Sequence, residues 1–207
     1  MVVEALLLDL DKTLVNVEDF TDYCSALAEL DAAGYAPRVR GPETYWGRCT
    51  KTVMDVLISL GGAEWARANE IVRRYELIGA ERAVAMPYLD LFLAATERLP
   101  KAIVTLLDAE ATSLVLQRFA IKTQAVVARV PGIRPKPHPD PVIHALKLLG
   151  AEPDGAVMVG DSEWDEKAAD AAGVRFIAVT NGRQNHNFKT PYIANNLKEA
   201  AKLIQEL

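Results

Sequence analysis

Short apolar runs separated by amphipathic stretches constrain this chain more than any other feature. Ala5–Leu8 is continuously apolar, and residues 102–104 (AIV), 125–127 (AVV), 156–159 (AVMV) and 176–179 (FIAV) resemble it. A run that is apolar at every position reads as a strand covered on both faces, because a half-exposed strand would alternate. Between the runs the period becomes helical. Val142, Ala145, Leu146 and Leu149 share one helical face, with Gly150 where that helix should stop. Leu197, Ala200, Ala201 and Ile204 repeat the spacing near the C-terminus. Strands alternating with helices pair in parallel through the helical crossovers. The expectation is an α/β fold: a Rossmann-like parallel sheet sandwiched by helices.

Residues 15 to 85 interrupt that rhythm. They carry helical patterns only, over 20–33, 44–60 and 63–80, punctuated by GYAPRVRGP at 34–42 and by Gly61-Gly62. An inserted, all-helical cap domain over 15–85 is expected, with residues 1–14 and 86–207 forming the core domain. Half of the 207 residues are hydrophobic, which suffices for a sizeable core. A net charge of −5, with no Lys/Arg patch interleaved with aromatics, speaks against a nucleic-acid partner. No stretch approaches the roughly 18 consecutive apolar residues of a membrane span. The N-terminus lacks the basic region and small-residue cleavage site of a secretory leader, so a cytoplasmic protein is expected. Cys24 and Cys49 fit no metal-site spacing and are expected as two reduced thiols. His138, His144 and His186 do not cluster in sequence.

In open parallel sheets, ligands gather beyond the carboxyl ends of the strands. Polar residues just after each apolar run should therefore converge. Asp9, Asp11 and Thr13 follow the first run, Thr105 the second, and GDSEWD, with Asp161 and Asp165, follows the run at 156–159. Lys136 lies in the loop RPKPHPDP. Each is unremarkable alone: a DxD usually marks a turn, and GDSEWD could simply cap a helix. Together, four carboxylates at one crevice would repel one another unless a cation balanced them. Hard oxygen donors favour Mg²⁺. A lysine and threonine hydroxyls beside that cation suit a phosphoryl group, whose transfer depends mainly on positioning and charge stabilisation.

In order and spacing, Asp9-x-Asp11-x-Thr13, Thr105, Lys136 and Gly160-Asp161-x-x-x-Asp165 resemble the four motifs of the haloacid dehalogenase superfamily. The helical insertion after the first motif is similar to the cap of its phosphoglycolate phosphatase-like branch. The resemblance implies Asp9 as nucleophile, forming an aspartyl-phosphate, and Asp11 as the acid that protonates the leaving alcohol and then activates water. It implies Mg²⁺ held by Asp9, the backbone carbonyl of Asp11 and Asp161, with Asp165 supporting the metal shell. Thr105 would bond a phosphoryl oxygen and Lys136 would stabilise nucleophile and intermediate. Thr13 and Arg48 are candidate substrate contacts; Arg38 and Arg40 could also reach a substrate anion, and Tyr45 and Trp46 could wall the pocket. The partner implied is a small phosphorylated metabolite.

Several rivals stay open at this level. DKT also begins the phosphorylation motif of P-type ion pumps, which would make Asp11 the nucleophile, but Leu14-Val15 does not continue that motif. An acid at position 11 disfavours true dehalogenation, which protonates no leaving oxygen. Phosphonatase chemistry would need a Schiff-base lysine, and the cap offers Lys51. A phosphotransferase or mutase of the same superfamily, and a non-catalytic phosphometabolite-binding protein, are the alternatives to a phosphatase. One departure is plain: Leu106 and Leu107 follow Thr105 where the branch often carries asparagine.

Overall fold

The computed structural model describes residues 3–207. In chain order the elements are β1 (Ala5–Leu8), β2 (Val15–Asn16), α1 (Tyr23–Ala32), α2 (Arg48–Ser59), α3 (Gly62–Arg82), β3 (Val84–Ala85), α4 (Leu89–Ala95) and β4 (Lys101–Asp108). There follow α5 (Ala109–Arg118), β5 (Ala125–Arg129), α6 (Asp140–Leu149), β6 (Ala156–Gly160), α7 (Glu163–Ala171), β7 (Arg175–Val179), β8 (Ile193–Ala194) and α8 (Leu197–Glu206). The main sheet is parallel throughout, in the order β5-β4-β1-β6-β7-β8.

Alternating residues of the central strands serve opposite faces, as the pleat requires. Leu6, Leu8, Ile103, Val157 and Val159 pack with apolar residues of α4, α5 and α8. Leu7, Val104, Met158 and Ala178 pack with α6 and α7 on the other side. Both faces being covered explains why the strands read as unbroken apolar runs. Helix α6 ends where the sequence says it should: Gly150 takes φ 63°, a left-handed conformation that glycine adopts without a Cβ penalty.

Between β1 and β4, helices α1, α2 and α3 build a second hydrophobic core around Tyr23, Leu30, Val53, Leu57 and Val72. The neck of this insertion carries a feature that the helical pattern does not announce. β2 and β3 pair antiparallel, Val15 with Ala85 and Asn16 with Val84, so the outgoing and returning chains are stitched side by side. Two-residue strands have no period to read, which is also why β8 escapes notice. No helix is long and apolar enough, among the described residues, to cross a membrane.

The expectation of two reduced thiols is corrected. Cys24 in α1 and Cys49 in α2 are bonded to each other across 25 residues of sequence, with Cα atoms 5.0 Å apart. The loop between the helices folds back and lays their first turns together, a tertiary event that Cys spacing does not encode. In the chain-entropy model, closing a loop of that length stabilises the folded state by roughly 3 kcal/mol. Dithiothreitol, or the pair Cys24→Ser/Cys49→Ser, should accordingly lower the thermal midpoint measured by circular dichroism. An unchanged midpoint would show that the bond contributes nothing.

Candidate active site

The carboxyl edge of the sheet collects Asp9 just after β1, Thr105 within β4 and Asp161 just after β6. Asp9 leaves β1 with its N–H bonded to the Val159 carbonyl of the neighbouring strand, which fixes its backbone against β6. Lys12, at φ 60°, turns the chain immediately afterwards, and Asn181 donates to its carbonyl. Just past β6, Ser162 caps α7 in a reciprocal box with Asp165, so the helix N-terminus and the carboxylate hold each other. The bland reading of GDSEWD as a helix cap is therefore true, and it coexists with the approach of its acids to Asp9.

Among the described residues, one group of carboxylates is close enough to share a cation: Asp9, Asp161 and Asp165, with oxygens within 4.8 Å of one another. All three are buried, and so is Lys136. The Lys136 ammonium donates to Asp9 Oδ1 at 2.7 Å, to Asp165 Oδ1 at 2.5 Å and to the Val104 carbonyl at 2.8 Å. Its three donors are thus committed. Burial works against its charge, but Asp165 and Asp9 outweigh burial and raise its pKa, so the lysine stays protonated. One lysine against three carboxylates leaves an excess of negative charge. Burial and the repulsion of Asp9 and Asp165 push Asp161 well above the usual carboxylate range. Burial also pushes Asp9 up to about 6, with Lys136 opposing and Asp165 adding to the rise. Oxygen donors, buried excess charge and close spacing fit a hard divalent cation.

Thr13 lies behind the acids. Its hydroxyl is 3.0 Å from Asp9 Oδ2 and 3.2 Å from Asp161 Oδ1, and it is fully buried. It orients carboxylates rather than facing the cavity. The Asp11 side chain is not part of the triad: its Oδ1 accepts from the N–H groups of Val17 at 2.7 Å and Glu18 at 3.0 Å. Desolvation nevertheless lifts Asp11 to about 8, those two amides opposing the rise. Thr105 accepts from the Leu107 N–H at 3.2 Å, leaving its own hydroxyl proton to donate.

Asp9, Asp11, Thr105, Lys136, Asp161 and Asp165 line one cavity, about 430 Å³ including its open mouth. The helical insertion between β1 and β4 closes it with Tyr23, Trp46, Thr50 and Met54, and Leu106 and Leu107 form part of the wall. Arg48 is not among the lining residues; it is exposed at the first turn of α2. Arg38 is paired with Glu64 at 3.0 Å on the surface. Lys51 is held by Asp55 at 2.7 Å and lies outside the cavity wall, which removes the support for a Schiff-base role. Tyr45 does reach the site, donating its hydroxyl to Asp161 Oδ2. Arg183 reaches it too, with a guanidinium N–H 2.5 Å from the Asp161 carbonyl. Arg183 lies in the loop just after β7, and nothing in the sequence pattern singles it out.

The chain is similar in sequence and fold to known proteins. The family model described as haloacid dehalogenase-like hydrolase matches residues 6–179. The chain is 27% identical over 188 residues to pyrophosphatase PpaX of Bacillus velezensis, spanning 86% of this chain and 83% of that protein. It is 45% identical over 51 residues to phosphoglycolate phosphatase of Nitrosococcus oceani, a match that spans about a fifth of that relative's length (22%) and 25% of this chain. The crystal structure of a predicted phosphatase from Clostridium acetobutylicum superposes with a TM-score of 0.77 at 20% identity, covering 100% of both chains. With its four motifs at one sheet edge and a family match across most of its length, the chain belongs to the haloacid dehalogenase-like hydrolases.

Proposed function

We propose that this chain is a Mg²⁺-dependent phosphatase that hydrolyses small phosphomonoester metabolites through an aspartyl-phosphate. The observation that carries the reading is Lys136 bridging Asp9 and Asp165 beside Asp161, at the floor of a capped cavity. Asp9, Asp161 and the backbone carbonyl of Asp11 would hold the cation, with Asp165 fixing Lys136. A bound Mg²⁺ supplies charge neutralisation for the phosphoryl oxygens and lowers the repulsion between substrate and carboxylates.

A carboxylate oxygen of Asp9 attacks phosphorus while the bond from phosphorus to the ester oxygen breaks. Asp11 gives its proton to that departing oxygen, and the alcohol leaves. Asp11, now ionised, takes a proton from water as the water oxygen attacks the phosphorus of the aspartyl-phosphate. The bond to Asp9 breaks, returning the free carboxylate and inorganic phosphate. Lys136 and Thr105 hold negative charge in both steps. The cap, through Trp46, Thr50 and Met54, limits the size of the leaving group and excludes bulk water.

The protonation states predict a pH profile. Asp11 must carry a proton in the first step, and its pKa stands at about 8, so kcat/KM should fall as pH rises through about 8. Asp9 must be ionised to attack, so activity should also fall with acidification, at or below its value of about 6, since a bound cation lowers it. A flat profile between pH 5 and 9 in initial-rate assays would contradict these roles.

The deciding experiment is phosphate release from a panel of aryl phosphates, sugar phosphates, nucleotides, phosphoglycolate and pyrophosphate. Release with Mg²⁺ that stops on adding EDTA supports the reading. No turnover across the panel would favour a binding protein on the same scaffold.

A further inference from the structure

Trp164 belongs to α7 of the core domain, yet its indole is fully buried within the cap's hydrophobic core, beside Tyr23, Val53 and Leu57. Its Nε1–H donates to the Pro42 carbonyl at 2.8 Å, and its ring centroid lies 5.1 Å from that of Trp46. A Cβ on Gly41 would fall 2.1 Å from the indole, so glycine alone lets the backbone pass so close. The Gly41 N–H is held from the cap side by Asp55 at 2.8 Å. The segment 41–46 is thereby pinned to the helix that begins at the fourth motif.

That anchoring delivers Tyr45 to the site. Its hydroxyl donates to Asp161 Oδ2, and the Arg183 guanidinium stacks 3.5 Å from its ring centroid. Arg183 also donates to the Asp161 carbonyl and stands 3.8 Å from Oδ2. Burial and the neighbouring carboxylate raise the Tyr45 pKa, so the phenol keeps its proton and remains a donor. Thr13 engages the other oxygen of Asp161. A divalent cation shared with Asp9 needs a lone pair of the same carboxylate, and its charge opposes that of Arg183.

We propose that Tyr45, backed by Arg183, is a cap-borne gate on the cation site: the phenol and a divalent cation compete for the Asp161 carboxylate. Cation binding releases Tyr45, and release of Tyr45 strengthens cation binding by the same factor, because linkage is reciprocal. This rests on the cation-site reading above. A hydrogen bond to an ionised acceptor is strong enough to shift affinity about tenfold.

The test is calorimetric titration of MgCl₂ into substrate-free wild type, Tyr45→Phe and Asp161→Asn. Phenylalanine keeps the ring on which Arg183 stacks and deletes only the hydroxyl. Tyr45→Phe should bind Mg²⁺ about tenfold more tightly than wild type. Mg²⁺ should also change the wild-type tryptophan emission, because the released Tyr45 adjoins Trp46, whose ring packs on Trp164. Asp161-dependent binding that Tyr45→Phe leaves unchanged or weakens overturns the gate alone. Binding that Asp161→Asn leaves unchanged overturns the cation site itself, and the gate with it.

Discussion

Asp9→Asn is expected to lower turnover by about 10⁴-fold or more while the protein still folds. Removing a covalent nucleophile eliminates the step itself, not one contribution to its barrier, which is why such losses exceed those of removing a single charge-stabilising donor. Asparagine has almost the shape of aspartate. Its amide oxygen can still accept from Lys136, while its NH₂ can donate to the Thr13 hydroxyl oxygen, which now stands 3.0 Å from Asp9 Oδ2. Lys136 loses one anionic partner yet keeps Asp165 at 2.5 Å and the Val104 carbonyl at 2.8 Å. The substitution also removes one of three mutually repelling buried carboxylates. The thermal midpoint should therefore change little, and the loss should lie in kcat rather than in folding. Phosphate release by Asp9→Asn at a wild-type rate, in protein freed of contaminating phosphatase, would make another residue the nucleophile.

The parts of this molecule that were legible in its sequence are those governed by local pattern. Each apolar run begins or ends within a residue or so of a strand, because a sheet covered on both faces imposes apolar side chains at consecutive positions. The strand-end rule gathered Asp9, Thr105, Asp161 and Asp165 before any coordinates, since parallel strands present their carboxyl ends at one edge. β4 is the exception: it runs on to Asp108, three residues past Thr105, with an irregular register against β5. Leu106 and Leu107, which stand where relatives of the resembled branch often carry a polar residue, read naturally as strand and wall the cavity.

What the sequence left unreadable depends on how distant segments pack. Cys24 meets Cys49 only because the intervening loop doubles back. Tyr45 meets Asp161 across 116 residues because Trp164 is drawn into the cap core. Arg48 and Tyr45 are three residues apart; the arginine was expected to contact substrate and the tyrosine to wall the pocket. The start of α2 leaves the arginine exposed while the preceding loop carries the tyrosine inward. No periodicity distinguishes those outcomes; burial of Trp164 does.

The same dependence on packing underlies the largest stability effect expected here. Arg129 on β5 is buried against Glu76 of α3, with exposures of 1% and 0%. Two guanidinium nitrogens meet the two carboxylate oxygens at 2.9 and 2.8 Å, a bidentate pair that joins core to cap. Arg129 also donates to Asn69 Oδ1 at 2.7 Å and to the Leu106 carbonyl at 2.5 Å. Glu76 accepts in addition from the Tyr23 hydroxyl at 3.2 Å and the Asp108 N–H at 3.0 Å. Desolvating both ions costs about as much as their attraction returns, so the intact pair adds little net stability. Leaving one ion alone costs about 3–5 kcal/mol. Glu76→Gln should therefore lower the thermal midpoint by roughly 10 °C in a chain of this size. Arg129→Met should also destabilise, because it leaves the buried Glu76 carboxylate with only the Tyr23 hydroxyl and the Asp108 N–H as donors. The double variant Glu76→Gln/Arg129→Met should recover much of the loss of Glu76→Gln, since no charge is left uncompensated. Urea denaturation of the four proteins closes the cycle. If the double variant loses the sum of the single losses, the two charges do not interact.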